Sequence, residues 1–472
     1  MRYVKNNCFN LIFISEVLMD VLNAVLAFSW VTYFWELYLG KRQEKVYKNN
    51  TEVPKELSSI IDNETFQKSR SYSLTKCKFG FWQGLYSQLE STLILYYGGY
   101  AYLWAVSGQI TAFLGYNESY EITQSMVFLF LGSLYGLVTG LPWSLYSTFV
   151  VEEKHGFNKM DLPFFFKDLV KKTILGMVLT LPIMALLIKI VQWGGDYFYV
   201  YAWAAVFTIS MVLLHVYPEF IAPLFDRYDP LPEGELKQKI EDLAKSLDYP
   251  LKKLYVVDGS KRSSHSNAYM YGFYKNKRIV LYDTLLEDYT PVGRGDEKTN
   301  EEGQKADSKK AEKKKIGCNT EEVVAVLGHE LGHWYHSHML KNLAVMQVKL
   351  ITMFFLFGKL MKQSFLFEAF GFPVNHQPIL IRLMVVFTFI FSPFNEIEEF
   401  LMNIVSRKFE FQADEFAVNL GKRELLKTSL LKLHKDNLSF PIADWMYSAR
   451  HYSHPPILER MRAMDQLKPK TE

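Results

Sequence analysis

The sequence predicts an α-helical polytopic membrane protein with about seven spans and a cytosolic α+β segment. Three observations lead there. Seven apolar blocks are long enough to cross a bilayer. Lys and Arg gather beside alternate blocks. One stretch outside the blocks mixes strand-like and helix-like periodicity around His329-Glu330-Leu331-Gly332-His333.

The blocks cover about 15–37, 91–113, 123–147, 173–194, 197–217, 343–363 and 379–402. Each reaches the roughly 20 mostly apolar residues that a span requires. The chain is 49% hydrophobic and 16% aromatic, with 36 Phe and 29 Tyr. Its mean hydropathy of −0.02 averages these blocks with highly charged stretches. Runs such as Ile174 to Ile190 and Trp203 to Val216 argue against core helices of a large soluble protein.

Orientation follows from basic flanks. Lys41, Arg42, Lys45 and Lys48 follow the first block, and Lys154, Lys159, Lys167, Lys171 and Lys172 lie between the third and fourth. This places residues 38–90, 148–172, 218–342 and 403–472 in the cytosol and the N-terminus in the lumen. Arg2 and Lys5 weigh mildly against that end. No small-residue cleavage site follows the first block, so it reads as a retained anchor. Asn117-Glu118-Ser119 is a glycosylation sequon in a loop assigned to the lumen. Cys8, Cys77 and Cys318 are scattered and odd in number, which suggests neither a disulfide framework nor a thiolate metal site. A net charge of +3 is too small to imply nucleic acid.

The chain divides into four parts on this reading. Residues 1–217 hold five spans, 218–342 form a catalytic segment, 343–402 hold two spans, and 403–472 return to the cytosol. In the second part, Glu233 to Leu247 has helical periodicity. Lys253 to Val257 and Arg278 to Tyr282 read as short strands. Residues 292–316 are too charged to bury themselves and read as a disordered insert. A helix follows at about 320–338, with Asn319 as cap and Glu322 three residues on.

On that helix His329 and His333 are i and i+4 and share a face, so both can offer nitrogens to one Zn²⁺. Glu330 follows the first of them, where its carboxylate can reach water activated at the metal. A helix with two surface histidines would contain the same pattern. The apolar lead-in from Val323 to Leu327 instead suits a buried helix.

A catalytic zinc needs three protein ligands and an open position. Glu410 and Asp414 are four apart and share a helix face after the seventh block. Glu410 as ligand, with Asp414 behind a ligand imidazole, is one arrangement. An exposed acidic face paired with Arg407 and Lys408 is the other. Glu396, Glu398 and Glu399 compete for the ligand role, and periodicity does not decide.

His329-Glu330-Leu331-Gly332-His333, Phe409-Glu410-Phe411-Gln412-Ala413-Asp414 and seven spans together closely resemble the type I CaaX prenyl proteases. These are integral-membrane zinc endopeptidases that process farnesylated proteins, including prelamin A and a fungal mating pheromone. Leu141 to Tyr146, Glu152 to Asn158, Gly259 to Tyr269 and His451 to Pro456 also look like that family. The pentapeptide alone is unspecific, whereas the ordered set is specific.

The resemblance implies one Zn²⁺ held by His329, His333 and Glu410, with Glu330 as general base. It implies that Asn267 binds the substrate backbone, that His454 stabilises the oxyanion, and that Arg460 helps organise the site. On the residues alone, Asn267 reads as a turn residue and His454 as a loop histidine before Pro455-Pro456. The implied fold is a helical barrel around an aqueous chamber, with a zincin-like α+β catalytic domain on the cytosolic side. The implied partners are prenylated CaaX proteins or peptides and membrane lipid, and the implied reaction removes the C-terminal tripeptide. A second upstream cut stays open. Lys468-Pro469-Lys470-Thr471-Glu472 fits a dilysine signal for the endoplasmic-reticulum membrane, and the inner nuclear membrane is a second address. The competing functions are a quality-control zinc protease without prenyl specificity and a non-enzymatic transporter or scaffold.

Overall fold

The membrane region is a run of helices: α1 (Arg2–Asn49), α2 (Asn63–Tyr96), α3 (Gly99–Phe113), α4 (Glu121–Tyr146), α5 (Leu162–Trp193) and α6 (Phe198–Val216). In this computed structural model, residues 2–58, 60–117, 120–272, 276–287 and 317–468 are described, with side chains from residue 20 onward. The insert expected at 292–316, Glu118-Ser119 of the sequon, and the last four residues of the dilysine pattern lie outside them.

A small α+β unit follows. It contains β1 (Tyr228–Pro230), α7 (Glu235–Ser246), β2 (Leu251–Val257), β3 (Ala268–Tyr271) and β4 (Lys277–Tyr282). Then come α8 (Thr320–Tyr335), α9 (His338–Leu360), α10 (Phe365–Glu368) and α11 (Ile379–Met384). The chain ends in α12 (Ser392–Asn419), α13 (Arg423–Asp436), α14 (Trp445–His451) and α15 (Ile457–Gln466).

The helices close a circuit. Each of α1 to α5 packs on the next, and α6 packs on α9. The path continues from α9 through the π-helical Val385–Ile390 to α12, then to α14, which packs on α1. A cavity of about 1200 Å³ opens between α1, α2 and the segments after α12. Its walls include Tyr33 and Glu36 of α1, Trp82 of α2 and the segment from His451 to Ile457.

Among the described residues, four helices are long and apolar enough to cross a membrane: Glu121–Glu152, Leu162–Trp193, Gly195–Leu224 and His338–Leu360. A bent pair, Ile379–Ile390 with Ser392–Asn419, makes five if it counts as one span. Three of the seven expected blocks do not coincide with one straight apolar helix. Block 91–113 is two helices, because Gly98 takes φ +65° between α2 and α3, a conformation that glycine tolerates best. Block 379–402 bends by 55° where Pro393, which lacks an N–H, sits in the first turn of α12. Block 15–37 lies within α1, a helix that runs on well past it to Asn49 and carries Glu16, Asp20 and Glu36.

At 1.5 Å per residue α1 is about 72 Å long, more than twice the roughly 30 Å of a hydrocarbon core. Its end and the start of α2 thus form a rigid extension. Tyr47, Leu57 and Phe66 bury there against Leu431, Phe440 and Ile457. Arg42 forks onto Asp444 at 3.0 and 2.8 Å. Apolarity marked the part of α1 that suits lipid and was silent on this continuation.

The two strands read from sequence are β2 and β4, and they pair in parallel. The sheet order is β1-β2-β4-β3, so β3 is an edge strand paired antiparallel to β4. Alternation did not reveal β1 or β3, which are only three and four residues long. Ile279 and Leu281 of β4 and Ile240 of α7 bury against Val323, Leu327 and Leu331 of α8. The sheet and α7 thereby hold α8 from one side.

The start of α8 is fixed as its sequence suggests. Asn319 Oδ1 accepts from the Glu322 N–H at 3.0 Å, and Glu322 Oε2 accepts from the Asn319 N–H at 2.8 Å. Glu322 is buried and also pairs with Lys432 of α13 at 2.7 Å. Asn319→Ala should cost about 1 kcal/mol. Glu322→Ala should cost more, because it also strips Lys432 of its partner. Thermal unfolding in detergent should rank the midpoints wild type, Asn319→Ala, Glu322→Ala. Equal midpoints would mean that the cap does not hold the helix.

Candidate active site

Two glycines let α8 and α12 approach closely. A Cβ on Gly332 would meet the Ala413 Cα and the Phe416 Cβ at 3.0 Å and the Ala413 carbonyl oxygen at 3.1 Å. One turn earlier, a Cβ on Gly328 would meet Leu420 at 3.6 Å and Ala417 at 3.9 Å. Gly332 thus allows backbone-to-backbone contact that a larger residue would prevent. The approach sets His329 and His333 of α8 opposite Glu410 and Asp414 of α12.

His329 Nε2 and His333 Nε2 lie 3.2 Å apart. Glu410 Oε1 is 3.3 Å from His333 Nε2, and Glu410 Oε2 is 3.5 Å from His329 Nε2. Tetrahedral zinc with bonds of about 2.0–2.1 Å separates its ligand atoms by roughly 3.3–3.4 Å. The triangle therefore matches the donor set and size of a metal site. Glu410 Oε2 is buried and makes no hydrogen bond among the described residues, with His329 Nε2 and Arg460 Nη1 each 3.5 Å away. Burial opposes charge on His329, but the Asp414 and Glu410 carboxylates outweigh it and lift that imidazole to about 9. The same field favours a divalent cation in the proton's place.

Asp414 sits behind the triangle. Its Oδ1 lies 2.9 Å from His329 Nδ1. A proton on Nδ1 donated to this carboxylate leaves the Nε2 lone pair facing the other ligands. Arg460 of α15 clamps Asp414 with two bonds, of 2.9 Å from Nε and 2.6 Å from Nη2. Both residues are buried, so the pair is shielded from the screening that weakens surface ion pairs.

The rival carboxylates are engaged elsewhere. Glu396 and Glu399 hold Arg450 at 2.6 and 3.1 Å, and Glu398 holds Lys349 at 2.6 Å. Arg407, offered as a partner for Glu410, pairs with Glu459 at 2.8 Å.

Glu330 is half-buried beside His329 and makes no hydrogen bond or ion pair with the described residues. His454 Nε2 lies 3.3 Å from Glu410 Oε1, and its ring lines the 1200 Å³ cavity. Asn267 is exposed at the head of the edge strand β3, with its Oδ1 accepting from the Ala268 N–H at 2.8 Å. Among the described residues it makes no hydrogen bond with the His–His–Glu triangle. Asn437, which lines the cavity, holds the preceding residue through the Ser266 N–H at 3.0 Å.

One part of the site escaped sequence reasoning. His333 Nδ1 lies 3.0 Å from His338 Nδ1, and His338 Nε2 lies 3.0 Å from Gln412 Oε1. Phe409 stacks on the His338 ring at 4.0 Å. With Nε2 of His333 facing the triangle, its Nδ1–H donates to His338, which donates onward to Gln412. The helix expected to reach 338 stops at Tyr335, because Ser337 takes φ +56° and α9 starts afresh. Helical spacing across that break pointed His338 to the wrong face.

The close approach at Gly332 generates a prediction. Gly332→Ala should spread α8 from α12 and weaken metal retention by about 10- to 100-fold, the usual effect of disturbing ligand support. Gly176→Ala, made in α5 with open space around it, should not. Metal analysis after dialysis against a chelator would separate the two. Equal retention would show that the approach has slack.

Comparison with known proteins agrees with this architecture. A family described as "CAAX prenyl protease N-terminal, five membrane helices" matches residues 43–227. A second, "Peptidase family M48", matches residues 230–468. A CAAX prenyl protease 1 homolog of Homo sapiens is 54% identical over 456 residues, covering 95% of this chain and 96% of that one. One from Oryza sativa subsp. japonica is 44% identical over 452 residues, covering 96% and 99%. The crystal structure of S. mikatae Ste24p superposes with a TM-score of 0.83 at 33% identity, covering 94% of this chain and 99% of that chain. The likeness runs unbroken from the helical circuit through the His–His–Glu triangle, and this chain belongs to the membrane metallopeptidases of family M48.

Proposed function

We propose that this enzyme removes the C-terminal tripeptide of prenylated CaaX proteins, using zinc held by His329, His333 and Glu410. The observation that carries this reading is the buried triangle of donor atoms beside a large water-accessible cavity. The names of the relatives support the substrate class over an unselective clearance protease. A membrane enzyme suits such substrates, because one lipid chain brings a protein to the bilayer without fixing it there. The endoplasmic-reticulum membrane is the proposed location, with the active site towards the cytosol.

Zinc, when bound, polarises the scissile carbonyl and makes water more acidic. Glu330 accepts the proton from that water on its carboxylate and passes it to the leaving amine nitrogen. No hydrogen bond or ion pair to the described residues ties up its carboxylate. His454 donates from its ring N–H to the oxygen on which charge develops. Asn267 receives the substrate backbone, which extends along the open edge of β3 as an added strand. Arg460 fixes Asp414, which fixes His329, while Gln412 and His338 do the same for His333.

Three substitutions test these assignments in one assay of zinc content and farnesyl-peptide cleavage. Glu330→Gln should keep its zinc and lose about 10²–10⁴-fold in rate, the usual contribution of a general base. Glu410→Gln should lose both. Asp414→Asn should keep part of each, with losses of about 10–100-fold. Near-normal cleavage by Glu330→Gln would assign the base elsewhere. Weaker zinc in Asp414→Asn than in Glu410→Gln, with both folded, would exchange those roles.

A further inference from the structure

We propose that a second site, at the basic end of α5, binds the phosphate of an anionic phospholipid headgroup. The argument begins with the hairpin of two spans. Leu162–Trp193 is followed almost at once by Gly195–Leu224, and their helices pack together. The Leu162 end and the Leu224 end therefore emerge at the same membrane surface. By the basic-flank rule this is the cytosolic one.

A cleft of about 550 Å³ opens there between the two span ends and the sheet. That is within the usual size of ligand sites, about 300–1,000 Å³. Lys167, Lys171, Lys261, Arg227, Arg262 and Arg278 line it. Against these six cations stand three carboxylates, Asp168, Glu219 and Asp226.

The carboxylates are committed. Asp168 holds Arg262 at 2.9 Å and Lys172 at 2.8 Å, and Asp226 also pairs with Arg262. Glu219 pairs with Arg278. Arg278 is only 7% exposed, yet its Nε has no hydrogen-bond partner among the described residues. Lys167 forms no ion pair with the described residues. Lys171 reaches only the Leu224 carbonyl oxygen at 3.2 Å, and Lys261 lies over the Phe164 ring at 5.3 Å. Three lysine ammoniums thus line the cleft without an ion pair among the described residues, beside a buried Arg278 whose one carboxylate partner is Glu219.

The flanks decide in favour of a lipid. Leu162, Phe166, Val170, Phe220 and Leu224 are all exposed beside the cleft, on helices that run into the bilayer. Acyl chains would lie along these side chains while the phosphate enters the cleft. Basic pockets between spans are a recurring way to bind anionic headgroups. A soluble phosphate would have no use for the apolar flank. None of the catalytic residues lines this cleft.

The test uses full-length protein in neutral detergent, titrated with dioctanoyl phosphatidic acid and followed by native mass spectrometry. Wild type should bind it saturably, and dioctanoyl phosphatidylcholine should bind much more weakly. Lys167, Lys171 and Lys261 are exposed, so K167Q/K171Q/K261Q should fold and cleave peptide normally in neutral lipid. Its affinity for phosphatidic acid should fall about fivefold for each charge removed. The arginine triple variant K167R/K171R/K261R should bind like wild type. Undiminished binding by the glutamine variant would overturn the site. Inorganic phosphate competing as well as phosphatidic acid would overturn the lipid assignment in favour of a soluble anion.

Discussion

The contact between Gly332 and Ala413 is the constraint on which the site depends. A zinc site needs ligands from more than one element, held to within tenths of an ångström. Here α8 and α12 meet backbone to backbone, so their side chains have little room to wander. The sheet and α7 press α8 from its apolar face, and the cap at Asn319 sets where its turns begin. Positions 329, 333, 410 and 414 follow from that geometry, because each pair is four residues apart on its helix.

A buried charge network then supports the geometry. Arg460, Asp414 and His329 form one column behind the triangle, and Gln412, His338 and His333 form another. Each imidazole of the triangle has a partner on the nitrogen that faces away from it. Such partners fix the tautomer and the ring angle together. Removing Arg460 would leave Asp414 as an uncompensated buried anion, which is usually far costlier than the pair itself is worth.

The legibility of the chain followed physical range. His329, Glu330, His333 and the cap at Asn319 were readable because helix periodicity links residues within a few turns. Glu410 was readable only as one of several carboxylates, since its partner lies 77 positions upstream at His333. The resemblance picked it out, and the engagement of Glu396, Glu398 and Glu399 with Arg450 and Lys349 gives the physical reason. His338 was missed because the chain reverses helix phase at Ser337. The breaks within the apolar blocks were out of reach for a similar reason. Hydropathy averages over about 20 residues, so it cannot register a single glycine such as Gly98 or a bend at Pro393. The aqueous extension of α1 was also beyond its reach, because amphipathic packing on Phe440 and Ile457 is a tertiary matter.

The central claim is that one zinc is held by two imidazoles and one carboxylate, with His338 and His454 near the metal but not on it. X-ray absorption spectroscopy at the zinc edge of the purified, metal-loaded enzyme tests this most directly. The account predicts a shell of nitrogen and oxygen atoms at about 2.0–2.1 Å, with multiple-scattering features from two imidazoles and no sulfur. A third or fourth imidazole, or a sulfur scatterer at about 2.3 Å, would contradict it.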